Sequence, residues 1–356
     1  MTPAMKARTR LGLLVLLLTL SVWNGPVSPQ PQAMTDSQLF SNVISRMQRG
    51  ESYYPVMGQE LRAGGYPTAS VFNWRTPAWY YALAWPFTRY LFILVTFGAA
   101  WLSFRQLRGD RVFARVVSLI ALVGTPIAAF TEGVSITDAV CGVFIAYSLF
   151  AYRKQAWTTG AVVAVLALFV RELAAPYVVA CAVIALWHRR WRECAVWMGG
   201  AVLYFAYFGW HAHMVTLHQL PGAQSHAESW IQGGGLRFVL GTVSSNLLLM
   251  CLPKWVTAVM FVTIAAGVTS SRLSNHVRAC TVAYLTAFAV IGQPFNLYWG
   301  WVPLFAFALS AGAGAEVIRQ QAVLALRPAV VRFAVPDSFR KSPRRSTRLH
   351  ETAGEC

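Results

Sequence analysis

"AVVAVLALFVRELAAPYVVACAVIALW", residues 161–187, is an apolar run with Arg171 and Glu172 side by side in its middle. A single charge at the centre of a bilayer costs roughly 2.5–3.5 kcal/mol on insertion scales, so such residues face a bundle interior or a water-filled cavity. The run is basic at both ends, with Arg153 and Lys154 before it and Arg189, Arg190 and Arg192 after it. Basic clusters mark the cytoplasmic side of a membrane. Both ends therefore lie on one side, and the run reads as a hairpin rather than a single tilted helix. Each arm has about 15 residues, roughly 23 Å of helix, short of the ~30 Å hydrocarbon core. The turn falls at Arg171, Glu172 and Pro176, below the outer surface.

The rest of the chain fits the same class. Of 356 residues, 56% are hydrophobic and 12% charged, against about 25% charged in a soluble domain. Repeated apolar stretches near the ~20 residues of a spanning helix predict an all-α, polytopic transmembrane bundle. The net charge of +17 raises nucleic acid as a partner, but its distribution argues against one. Clusters at Lys6–Arg10, Arg105–Arg115, Arg153/Lys154, Arg189–Arg192, Arg272/Arg278 and Arg319–Arg348 hold 22 of the 30 Lys and Arg. The other side has 8 basic and 7 acidic residues. The charge is an orientation signal and an attraction to anionic membrane lipids. An even number of crossings between clusters gives about ten spans, both termini cytoplasmic, and external loops at 29–88 and 211–252. The N-terminal "MKARTRLGLLVLLLTLSVW" reads as a retained first helix, since no A-x-A-like cleavage site follows it. Residues 1–318 form the membrane domain and 319–356 a basic cytoplasmic tail. The six cysteines are scattered without a C-x-x-C pair, so no disulfide or zinc site is read from them.

The first external loop carries apolar residues at 39, 40, 43, 44 and 47, the spacing of an amphipathic helix lying on the outer surface. Unusual polar groups collect on this side: Asp36, Glu51, Glu60, Arg75, Glu132, Asp138, Arg171, Glu172, Arg237, Lys254 and Asn296. Charges within or near a membrane are functional candidates by default. Internal pairing is the competing reading, with Arg171 bound to Glu172, Glu132 or Asp138. Asp36 and Asp138 both stand near helix starts, where a carboxylate also caps. His211, His213, His218 and His226 lie at spacings that match no metal motif and read as loop or interface residues. Tyr53, Tyr54, Trp74, Trp79, Tyr298 and Trp299 are either interfacial aromatics or stacking platforms for a sugar.

Three passages resemble the GT-C superfamily of integral membrane glycosyltransferases. The first is Asp36 followed by the external helix that ends in "GESYY" (50–54); the second is "TEGVSITDAVCGVFIAYSLF" (131–150), an outer turn opening an inward helix. The third is the short hairpin with "RELAAP" (171–176), and "GGYPTASVFNWRTP" (64–77) is similar to passages in bacterial members. The resemblance covers roughly residues 10–210. No Asp-Asp or Asp-Glu pair stands at Asp36, which departs from the protein O-mannosyltransferase branch.

The resemblance implies a bacterial inner-membrane hexosyl- or pentosyltransferase that works at the outer face with inversion. The implied donor is a polyprenyl-phosphate sugar, and the acceptor a glycan, lipid or protein. No cofactor is implied, and a divalent metal is not indicated. Asp36 is then the catalytic base, since an ionised carboxylate accepts the acceptor's proton. Arg75, Glu132, Asp138, Arg171, Glu172 and Lys254 are the substrate-binding candidates, the cations for the leaving phosphate. The alternative is a transporter or flippase for a lipid-linked or anionic solute, but the internal repeat usual in transporters is missing.

Overall fold

The structure, a computed structural model, describes residues 2–26, 35–106, 112–122, 135–225, 229 and 231–326. It is all-helical, and among the described residues the sole β contact is an isolated bridge between Ile231 and Ile291. The helices are α1 (Pro3–Asn24), α2 (Asp36–Gln48), α3 (Tyr53–Ala63), α4 (Ala78–Ala84) and α5 (Phe87–Gln106). They continue as α6 (Val112–Leu122), α7 (Thr137–Arg153), α8 (Trp157–Val170), α9 (Ala175–Trp187) and α10 (Trp191–His218). The last are α11 (Gly235–Val243), α12 (Leu247–Met250), α13 (Lys254–Val268), α14 (Asn275–Val290) and α15 (Leu304–Leu326). One of them, α5, is by itself long and apolar enough to cross a membrane.

The hairpin at 155–187 is present. Helix α8 stops at Val170, Arg171 is extended (φ −155°, ψ 126°), and a short 3-10 turn leads into α9, whose first turn holds Pro176. The proline has no N–H to give, so it suits a first turn and no interior position. Helices α8 and α9 flank this break inside the principal core, with α7 against α8 and α14 against α9. Close approach elsewhere depends on small residues. A Cβ on Gly314 would strike the Thr263 carbonyl, which is why α15 lies tightly along α13.

A second, smaller core sits at one end. The apolar stripe of α2, Leu39, Phe40, Val43 and Met47, packs with Tyr53, Met57 and Leu61 of α3, with Trp74 and Tyr80, and with Val215 of α10. The amphipathic helix expected at 39–47 therefore exists, but its apolar face is covered by protein rather than laid on a membrane surface: Leu39 is 1% exposed and Val43 0%. Hydrophobic burial of about 1.5–3 kcal/mol per large side chain fixes α2 in that seat.

Two boundaries differ from expectation. The stretch 211–252, read as a loop, contains α11, whose Phe238, Val239, Leu240 and Val243 belong to the principal core. The tail expected from 319 begins inside α15, which continues to Leu326. Residues 123–134 of the expected 112–152 hairpin, with Glu132, and the tail beyond 326 lie outside the described residues.

Candidate functional site

The site begins with a helix cap. Thr35, not Asp36, caps α2: the Gln38 N–H donates to Thr35 Oγ1 at 3.3 Å and the Thr35 N–H to Gln38 Oε1 at 3.2 Å, a reciprocal capping box. Asp36 occupies the first helical position, where its charge suits the helix dipole while its carboxylate stays available. The capping role considered for Asp36 is thus filled by its neighbour.

Tyr66 completes this corner. Helix α3 ends in a Schellman motif: the Tyr66 N–H donates to Leu61 O at 2.8 Å and the Gly65 N–H to Arg62 O at 3.0 Å. Gly65 takes the left-handed conformation this requires, with φ +73°. The turn brings Tyr66 back over the start of α2, where its hydroxyl donates to Asp36 Oδ1 at 2.6 Å. Burial, and then the Asp36 carboxylate it donates to, push the Tyr66 phenol well above its ordinary range, so it remains a donor.

Arg75 faces the same carboxylate. Its Nη2 is 3.9 Å from Asp36 Oδ2 and donates to the Tyr298 hydroxyl at 3.0 Å. The guanidinium lies 5.3 Å from the Phe40 ring centroid, and its buried Nε has no hydrogen-bond partner among the described residues. Burial opposes the charge of Arg75, but Tyr298, Asp138, Asp36 and Glu172 outweigh that and hold its pKa above the ordinary range. The backbone around it is strapped down: Tyr53 Oη donates to the Arg75 carbonyl, and Thr76 Oγ1 donates at 3.1 Å to Phe169 O and Val170 O at the end of α8. Asp36, Tyr66, Arg75, Asn296 and Tyr298 border one cavity of about 380 Å³.

The remaining candidates divide. Asp138 and Arg171 are buried, with Arg171 Nε 3.2 Å from Asp138 Oδ1 and Nη1 2.5 Å from Glu172 Oε1. None of these three borders the cavity, although Asp138 and Glu172 reach Arg75 electrostatically. Asp138 lies in the first turn of α7 without capping it; its carboxylate is spent on Arg171. Glu51 and Glu60 are both engaged by Arg46, at 2.5 and 3.0 Å. Lys254 opens α13 and Arg237 lies on α11; both are exposed and away from the cavity wall. Glu132 lies outside the described residues.

Of the aromatic residues offered as sugar platforms, Tyr53, Tyr54, Trp74, Trp79 and Trp299 are interior packing. Only Tyr298 borders the cavity, and Tyr66 and Phe40 join it there. The signal that points to Tyr66 is the "AGGY" at 63–66, a helix-ending glycine followed by the residue it turns back. His211 of α10 is buried between Tyr54 Oη and the Trp74 carbonyl, at 3.0 and 3.1 Å, and ties α3 and the segment of Trp74 to α10. Among the described residues no cluster of His, Cys, Asp and Glu could hold a metal ion. No family model, no curated protein and no solved structure matches the chain.

Proposed function

We propose that the protein is a membrane glycosyltransferase that moves a sugar from a polyprenyl-phosphate donor to a hydroxyl acceptor at the outer face of a bacterial inner membrane. The observation that carries this reading is the shared cavity. A carboxylate with a fixed hydrogen-bond donor and a buried guanidinium with one unpartnered N–H border the same 380 Å³ space. Asp36 takes the acceptor's proton as its oxygen attacks the anomeric carbon from the face opposite the phosphate. The bond from that carbon to the phosphate oxygen breaks, its electrons pass to the phosphate, and the configuration inverts. Arg75 offers fixed donors where that negative charge develops. Tyr66 orients Asp36, and the Asp138–Arg171–Glu172 group positions the loop of Arg75.

The membrane setting is supported by what the helices leave outside. Leu94 of α5, Val179 of α9 and Phe205 of α10 are 69%, 60% and 71% exposed, whereas Asp138 and Arg171 are buried. Soluble proteins rarely expose apolar surface on this scale. A transporter draws on the same buried charges. The burial of α7 at Val140–Val143 and Ile145–Ala146, interrupted by a half-buried Phe144, supports an enzyme over a path. Sealed proteoliposomes given a panel of radiolabelled polyprenyl-phosphate sugars separate the readings. Transfer yields labelled product and free polyprenyl phosphate; movement of intact donor without product would reverse the assignment.

A further inference from the structure

The far end of the bundle holds a second cavity of about 1400 Å³, between the end of α7, the end of α9, the start of α10, the turn before α14, and α15. It lies at the opposite end of α7 from Asp138, about 20 Å away along the helix. Two buried acids line it, and both are neutralised from within. Tyr152 Oη donates to Glu193 Oε1 at 2.7 Å and Arg190 lies 3.4 Å from Glu193 Oε2, while Arg319 donates twice to Glu316, at 2.9 and 2.7 Å. Arg153 and Arg192 are left on the exposed wall, the first donating to the neutral amide of Gln106.

His276 is the second, independent observation. It stands in the first turn of α14, which Ser274 caps, and it lines the cavity. Its ring stacks on Tyr152 with centroids 3.8 Å apart, it is 8% exposed, and its Nε2 has no hydrogen-bond partner among the described residues. A helix N-terminus, an unpartnered imidazole nitrogen and two arginines form a donor set suited to a phosphate group. Leu149, Ile184 and Leu309 also line the cavity, and Trp191 is 65% exposed at the margin. A cavity lined both by cations and by apolar side chains matches an amphiphile better than a free anion. Basic pockets between helices on the cytoplasmic side bind lipid headgroups in this manner.

We infer that this cavity binds the phosphate of an anionic lipid headgroup. His276 and Arg192 take the phosphate oxygens, and the apolar lining residues take the start of the acyl chain. The lipid source rests on the membrane reading above; the phosphate chemistry does not, and neither depends on glycosyl transfer. Native mass spectrometry of the full chain in detergent, titrated with phosphatidylglycerol, phosphatidylcholine or inorganic pyrophosphate, tests it without an activity assay. His276→Phe keeps the ring on Tyr152 and removes both nitrogens, and Arg192→Gln alters an exposed side chain that folding does not need. Phosphatidylglycerol is expected to bind in preference to phosphatidylcholine, and each variant to weaken it about tenfold. Binding of pyrophosphate but not lipid, lost in the variants, would overturn the lipid source and keep phosphate recognition. Equal phosphatidylglycerol affinity in the wild type and Arg192→Gln overturns the inference, even if His276→Phe fails to fold.

Discussion

Arg171 and Arg75 lie close enough to feel each other's charge, yet they are held in opposite ways. Arg171 has a carboxylate on each side, at 3.2 and 2.5 Å, and is sealed at the helix break. Arg75 has its carboxylate at 3.9 Å, beyond hydrogen-bond reach, and keeps a donor unused beside a cavity. A buried ion pair with good geometry resists removal of either partner but has nothing left for a ligand. A looser pair costs more to keep, since an unmade buried hydrogen bond is a penalty of about 1–3 kcal/mol. On the proposed reading that penalty is recovered when the phosphate of the donor binds. On the proposed reading the comparison gives Arg171 a structural role and Arg75 the chemical one, although the two arginines lie within electrostatic reach of each other.

The largest expected effect comes from the carboxylates. Asp36→Asn keeps the shape, the Thr35 cap and the Tyr66 contact, so the variant should melt like the wild type. Product formation should fall by about 100- to 10,000-fold, the usual loss with a general base. Asp138→Asn should do the reverse: a buried pair broken on one side costs about 3–5 kcal/mol, and low yield or a lowered Tm in detergent should precede any kinetic defect. A stable, inactive Asp138→Asn beside an active Asp36→Asn would exchange the two roles.

These roles were only partly legible in the sequence. The hairpin at 155–187 was, because basic residues at both ends and a proline after a charged pair leave few ways to fold 33 residues. The stripe of α2 was legible as a helix, but not its covering, because periodicity marks an apolar face and says nothing of what meets it. Asp36 was legible as a carboxylate near a helix start. That Thr35 does the capping depends on which oxygen reaches the N3 amide, a matter of atoms rather than residue types. Tyr66 and Tyr298 were not legible as partners of one cavity. They lie 232 positions apart, and only the packing of α2 and α3 near the 297–301 turn brings them together.

A middle-sized effect should separate the two arginines directly. Arg75→Lys keeps the charge but loses the planar fork and the position of Nε. Loss of one donor aimed at a developing anion typically costs about 100-fold in rate, so kcat should fall while the protein still folds. Arg171→Lys cannot reach Asp138 and Glu172 with one fork, and its first consequence should be thermal instability. Comparing kcat and Tm for the two variants in the same detergent checks the distinction. Full activity in Arg75→Lys would remove phosphate recognition from that residue.

The smallest expected effect is the most selective. Tyr66→Phe removes one hydroxyl and leaves the ring against the start of α2. The lost bond is short, 2.6 Å, to an ionised acceptor, and the phenol stays protonated because burial and Asp36 hold its pKa high. A hydrogen bond to a charged group contributes about 1.5–3 kcal/mol, but Asp36 keeps Arg75 nearby and regains water from the open side of the cavity, so most of that is recovered. What is not recovered is direction. Without Tyr66 the carboxylate can rotate toward Arg75, close the 3.9 Å gap to Nη2 and, on the proposed reading, compete with the phosphate for that guanidinium. The open pair would then resemble the sealed pair at Arg171. The expected outcome is a fall of about tenfold in kcat, with Tm nearly unchanged and donor affinity reduced in step with the donor that Asp36 has occupied. Steady-state kinetics and a donor titration on the same preparation read both quantities. An unchanged kcat and donor affinity in Tyr66→Phe would mean that the 3.9 Å separation is kept by the packing of α2 alone.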